Sequence, residues 1–112
     1  MLEAALSVRI VITTVVSEEE GARMGRTLVE ERLAACATII SGAQSIYRWQ
    51  GEIDSSAETI LLLKTESDRL AALDSRLHEL HSYQTPELLV LTVDSGSHDY
   101  LAWLHASLHE ST

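Results

Sequence analysis

Cys36 and His81 are the side chains in this sequence best suited to bind a metal. A cysteine thiolate is a soft ligand for Cu(I) or another thiophilic ion, and a neutral imidazole binds divalent metals. Each residue also has a plain structural reading. Cys36 stands between Ala35 and Ala37, where a small thiol simply packs. His81 ends a helical pattern, where a partial positive charge suits the helix dipole. One thiolate is not a site, so a metal would need Cys36 together with His81, Met24 or copies from other subunits. His78 and His81 are three apart, and His105 and His109 four apart, spacings that bring side chains together on a helix. Neither pair has a third ligand at regular spacing. His105 and His109 lie near a polar tail and are expected to be solvated.

Enzymatic chemistry is not expected. A Cys–His nucleophile pair requires Cys36 exposed, activated and oriented by a third group. No Gly-rich phosphate loop, H-E-x-x-H or paired C-x-x-C occurs. The chain carries 17 acidic residues against 8 basic ones, a net charge of -9. That balance argues against binding nucleic acid or an anionic membrane, both of which need Lys and Arg. A single cysteine makes no internal disulfide, and no apolar run reaches membrane-spanning length, so a cytoplasmic protein is expected.

The elements that must position these residues follow from periodicity. The 112 residues suit one domain, 1–112, and with no Phe its core must be Leu, Ile, Val and Ala. Ser7 to Val15 alternates as a β-branched strand. Ser17 and Glu20 form an S-x-x-E capping box for a helix expected to run to Ala34 or Ala35. Ala37 to Trp49 and Glu52 to Thr65 read as a long hairpin turning at Gln50-Gly51. Gly42 predicts a bulge or bend in its first strand, and Asp54 to Ser56 a break in its second. Leu70, Leu73, Leu77 and Leu80 mark a second helix, with Thr65 and Asp68 as candidate caps. Leu88 to Val93 is a further strand, Asp94 to Gly96 a turn, and Tyr100 to Leu108 a last helix.

The resulting order is βαββαβ plus a terminal helix. The simplest packing is a four-stranded antiparallel sheet, both main helices on one face, with the first and third strands central. Ala37 to Trp49 then becomes an edge. Ile39, Ile40, Ile46, Tyr47 and Trp49 make that edge a hazard unless it pairs with another subunit, so self-association is expected.

Several motifs together resemble the CutA family of divalent-cation-tolerance proteins. They are Glu31-Arg32-Leu33-Ala34-Ala35-Cys36, then Ser45-Ile46-Tyr47-Arg48-Trp49-Gln50-Gly51-Glu52-Ile53, then Glu58 and Lys64-Thr65. His81-Ser82-Tyr83-Gln84-Thr85-Pro86-Glu87 and Tyr100-Leu101-Ala102-Trp103-Leu104 complete the set. The resemblance implies an α+β ferredoxin-like sandwich assembled as a homotrimer through the Ala37–Thr65 hairpin, similar in plan to PII signalling proteins. It also implies tolerance of copper or other divalent metal ions, with Cys36 and His81 as the metal candidates. In such a trimer Glu58, Lys64, Tyr83 and Glu87 would lie near the clefts between subunits. They read either as a pocket for an anion or small molecule, with Lys64 as counter-charge, or as structural pairs across the interface. Ser82 stands where the family usually has Pro, Gln84 where it has Glu, and Thr38 where it has Asn.

Overall fold

A computed structural model describes residues 1–109, so the last three residues of the expected 1–112 domain lie outside the described residues. The strands are β1 (Leu2–Ala4), β2 (Val8–Val15), β3 (Cys36–Trp49), β4 (Glu52–Glu66), β5 (Leu89–Thr92) and β6 (Ser95–Ser97). The helices are α1 (Glu18–Glu30), α2 (Leu70–Leu80) and α3 (His98–His109), with a 3₁₀ turn at Ser67–Arg69 leading into α2. β3-β4-β2-β5 form one antiparallel sheet, in which β2 and β4 are central and β3 is an edge, as the apolar pattern predicts. The chain is an α+β ferredoxin-like sandwich with an added C-terminal helix.

Strand alternation divides the sheet into two faces. Val11 and Val15 of β2 and Leu61 and Leu63 of β4 point to one face. There they meet Met24 and Leu28 of α1 and Leu73 and Leu77 of α2, all essentially inaccessible to water. Gly25 lets α1 approach closely, because a Cβ there would lie 2.8 Å from the Ala37 Cβ. The opposite face carries Ile10, Ile12, Ile60, Leu62, Leu89 and Leu91, and none of these belongs to the core packed under the helices. Leu89 and Leu91 are openly exposed. A second cluster, Ala5, Val8, Ala35, Leu104 and Leu108, seats α3 across the end of the sheet.

Local chemistry accounts for most boundaries. Ser17 Oγ accepts the Glu20 N–H at 3.1 Å, capping α1. The Glu20 carboxylate does not complete the box; it accepts the Ser82 hydroxyl instead, at 2.8 Å. The Gln50-Gly51 turn has positive φ at both residues, the two-residue hairpin geometry. The register shifts between Ile40 and Ala43, with Gly42 at φ 84, so the expected bulge is present.

Four expectations are corrected. α1 ends at Glu30, not Ala34 or Ala35, because Arg32 takes φ 58 and the chain closes a Schellman turn. Its two bonds are Arg32 N to Val29 O and Leu33 N to Leu28 O. No break occurs at Asp54 to Ser56, since β3 supplies cross-strand partners for all three residues. Neither Thr65 nor Asp68 caps α2: the Thr65 hydroxyl donates to Leu33 O from within β4, and Asp68 lies in the 3₁₀ turn. Ser95 and Gly96 are not a turn but part of β6, which pairs with β1 through Leu2–Ser97 and Ala4–Ser95.

Candidate functional site

Cys36 opens β3 and pairs across the sheet with Lys64. The Lys64 ammonium donates to Thr38 Oγ1 at 2.6 Å and lies 3.7 Å from Cys36 Sγ. Sγ is also 3.9 Å from Thr38 Oγ1. A fixed positive charge beside the sulfur opposes the approach of a cation. No histidine is hydrogen-bonded to Cys36, so a Cys–His nucleophile pair is not assembled among the described residues.

His81 is the C-cap residue of α2 and is buried, with both ring nitrogens engaged. Nδ1 accepts the Tyr83 N–H at 3.0 Å, so the ring proton sits on Nε2, which donates to Thr14 O at 2.8 Å. Both partners are backbone groups and the side chain has no solvent exposure, so no ion reaches either nitrogen. Thr14 pairs with Ile60, whereas Cys36 pairs with Lys64, four residues further along β4. The two candidate ligands are therefore anchored about 13 Å apart along the strand. Cys36 and His81 do not fit a common metal centre within one chain.

The other four candidates also separate. The Tyr83 hydroxyl donates to Glu58 Oε2 at 2.8 Å. The Tyr83 phenol is pushed up to about 12 by burial and by the Glu58 carboxylate. Close by on the hairpin, Tyr47 and Ser56 share a hydroxyl–hydroxyl bond of 2.8 Å. Lys64 lies six residues from Glu58 along β4, roughly 20 Å away. Glu87 is exposed on the segment between α2 and β5. A groove of about 540 Å³ beside α2 is lined by Val11, Leu70, Leu73, His78, Pro86 and Leu88 among others, and includes none of the six candidates.

A different group does converge. Glu66, the last residue of β4, lies under the His105 and His109 side chains of α3. Glu66 Oε1 is 2.7 Å from His109 Nε2, and both of its oxygens are 3.1 Å from His105 Nδ1. His105 and His109 are exposed, as expected, and no third ligand comes at regular spacing; the acid that joins them comes from the end of β4. Helix spacing marks the histidine pair, but nothing local in the sequence links it to an acid 39 residues earlier.

The family model for "CutA1 divalent ion tolerance protein" matches residues 9–107 of this chain. The chain belongs to the CutA1 family. The divalent-cation tolerance protein CutA of Pectobacterium atrosepticum is 41% identical over 99 residues, spanning 88% of this chain and 90% of that protein. The Thermus thermophilus protein is 45% identical over 95 residues, spanning 85% and 92%. Among solved structures, CutA from Synechococcus elongatus superposes with a TM-score of 0.93 at 40% identity, covering 96% of each chain. CutA1 from Oryza sativa gives 0.90 at 36% identity, covering 95% of this chain and 97% of that one.

The resemblance read from the sequence motifs is thus correct, and membership ties the chain to divalent-cation tolerance. Ser82 and Thr38 both make specific contacts. Ser82 supplies the hydroxyl held by the buried Glu20 carboxylate, and Thr38 accepts from Lys64.

Proposed function

We propose that this chain is a non-enzymatic, cytoplasmic metal-tolerance protein that works as a homotrimer and binds copper or a similar divalent ion. The observation that carries the assembly is the hairpin. β2 pairs with β4 only from Thr59 to Glu66, so Ala43 to Glu58 extends as a ribbon of two strands with no third among the described residues. Such a ribbon is marginal alone. Ile46, Trp49 and Ile53 are exposed along it, and the apolar face of Ile10, Ile12, Leu62 and Leu91 continues from its base. Together these surfaces support self-association through the Ala37–Thr65 hairpin. The family resemblance supports closed three-fold symmetry. Membership in a divalent-cation-tolerance family supports the metal.

Light scattering after size exclusion at micromolar concentration tests the assembly. A mass near three times 12.3 kDa is expected, and a monomer refutes it. Equilibrium dialysis with Cu(II) and Zn(II) tests ion binding, and no uptake refutes that part. For location, the CutA protein of Archaeoglobus fulgidus is described as periplasmic, so fractionation of the native host tests the cytoplasmic reading.

A second reading is a PII-like module that binds a small molecule between subunits. It is favoured by the Tyr83–Glu58 pair at the hairpin base, and a Synechococcus elongatus CutA has been solved complexed with Bis-Tris. A thermal-shift screen separates the two. A metabolite shift lost in Glu58→Gln supports the second reading, and shifts with metals alone support the first.

A further inference from the structure

We propose that Glu66, His105 and His109 form a binding site for a divalent ion of the zinc, copper and nickel class. The inference rests on the reading above that the protein takes up divalent ions, and it places one of them. His105 and His109 sit one turn apart on α3 with ring centroids 4.2 Å apart. One ligand atom from each, with a Glu66 oxygen, all lie within 4.8 Å of one another. A tetrahedral ion with bonds of about 2.0–2.1 Å needs ligand atoms roughly 3.3 Å apart.

Charge gives a second, independent reason. The Glu66 side chain is only 8% exposed, and among the described residues its ion-pairing partners are these two imidazoles alone. Both imidazoles donate N–H groups to this buried carboxylate, and a bound cation would add the full opposite charge that hydrogen bonds alone do not supply. Two imidazole nitrogens with one carboxylate select borderline ions over calcium or magnesium, which prefer all-oxygen shells. Asp68 Oδ2, 3.8 Å from His109 Nε2, adds negative charge and a further donor at the rim. The frame is firm: Leu104 and Leu108 are buried beneath the pair, and Arg32 donates to Ser107 O.

Arg69 sets the resting state. Its Nη2 donates to His109 Nδ1 at 3.0 Å and to Leu108 O at 2.8 Å. The His109 proton is therefore on Nε2, facing Glu66. An ion taking the Nε2 lone pair moves that proton to Nδ1, and Arg69 keeps Leu108 O while releasing the ring.

Titration calorimetry with Zn(II), and visible absorption with Co(II), test the site in the full chain and in His105→Ala/His109→Ala. Wild type is expected to take up one more ion per chain than the double variant and to show tetrahedral Co(II) bands that the variant lacks. The exposed single change His105→Ala and the charge-removing Glu66→Gln serve where the double variant does not fold. Each is expected to weaken binding about tenfold or more. Equal stoichiometry and affinity in wild type and variants overturns the site while leaving ion uptake intact. A wild type that binds no divalent ion overturns both readings together.

Discussion

The Tyr83 hydroxyl donates to Glu58 Oε2 across 2.8 Å, tying the segment after α2 to the base of the hairpin ribbon. Burial and the Glu58 carboxylate both disfavour the phenolate, which lifts the tyrosine to about 12. Ultraviolet titration should therefore show one of the three tyrosines ionising late, and Tyr83→Phe should remove that step. The folded value lies above the ordinary 10.0, so the contribution to stability is complete below pH 10.0. It is then lost as pH rises from there towards about 12. A late step that survives in Tyr83→Phe contradicts the assignment.

His98 opens α3 and lies 3.0 Å from Glu3 Oε2, linking the β1–β6 ribbon at its surface. Its hydrogen bond to Glu3, chiefly, raises its pKa above the ordinary 6.5. A raised histidine contributes stability fully below its ordinary value and loses it as pH climbs through the folded one. The ribbon's amides should accordingly lose protection, beyond the intrinsic base-catalysed rise in exchange, on the alkaline side of neutrality. In NMR titrations Glu3→Gln should bring His98 back down, and an unmoved His98 midpoint sinks this account.

Gly25 is held to its size by Ala37, since a Cβ there would meet the Ala37 Cβ at 2.8 Å. Gly25→Ala should destabilise the fold by about 1–3 kcal/mol through overpacking, despite the better helix propensity of alanine. Urea denaturation measures the difference. A variant as stable as wild type means that α1 and β3 separate more easily than their packing indicates.

Thr13 has no solvent exposure, and its hydroxyl has no hydrogen-bond partner among the described residues. Replacing an unsatisfied buried hydroxyl with a methyl of the same shape removes a desolvation penalty. Thr13→Val should raise stability by about 1 kcal/mol in the same denaturation assay. A loss of that size would show that the hydroxyl does find a partner in solution.

Features that depend on neighbours in the chain were legible from the sequence. Alternation placed Val8, Ile10 and Ile12 on one face of β2 and Val11 on the other, Ser17 announced the start of α1, and Gln50-Gly51 announced the hairpin turn. Gly42 announced the bulge for the same reason, because only backbone freedom within a few residues is involved. The end of α1 was not legible. Its left-handed residue is Arg32 rather than glycine, and long-range packing holds a conformation that local propensity disfavours.

The site residues divide in the same way. The types of Cys36, His81, His105 and His109 are written in the sequence, and so is the spacing that stacks the last two. Their roles depend on groups distant in the chain. Thr14 O, 67 residues from His81, takes the ring nitrogen that a metal would need. Lys64 sets an ammonium beside Cys36 across the strand pair. Glu66 turns a pair of helix-surface histidines into a three-ligand cluster because α3 folds back over the end of β4. Periodicity reports which face a side chain takes on its own element. Which groups meet it there is decided only when those elements pack.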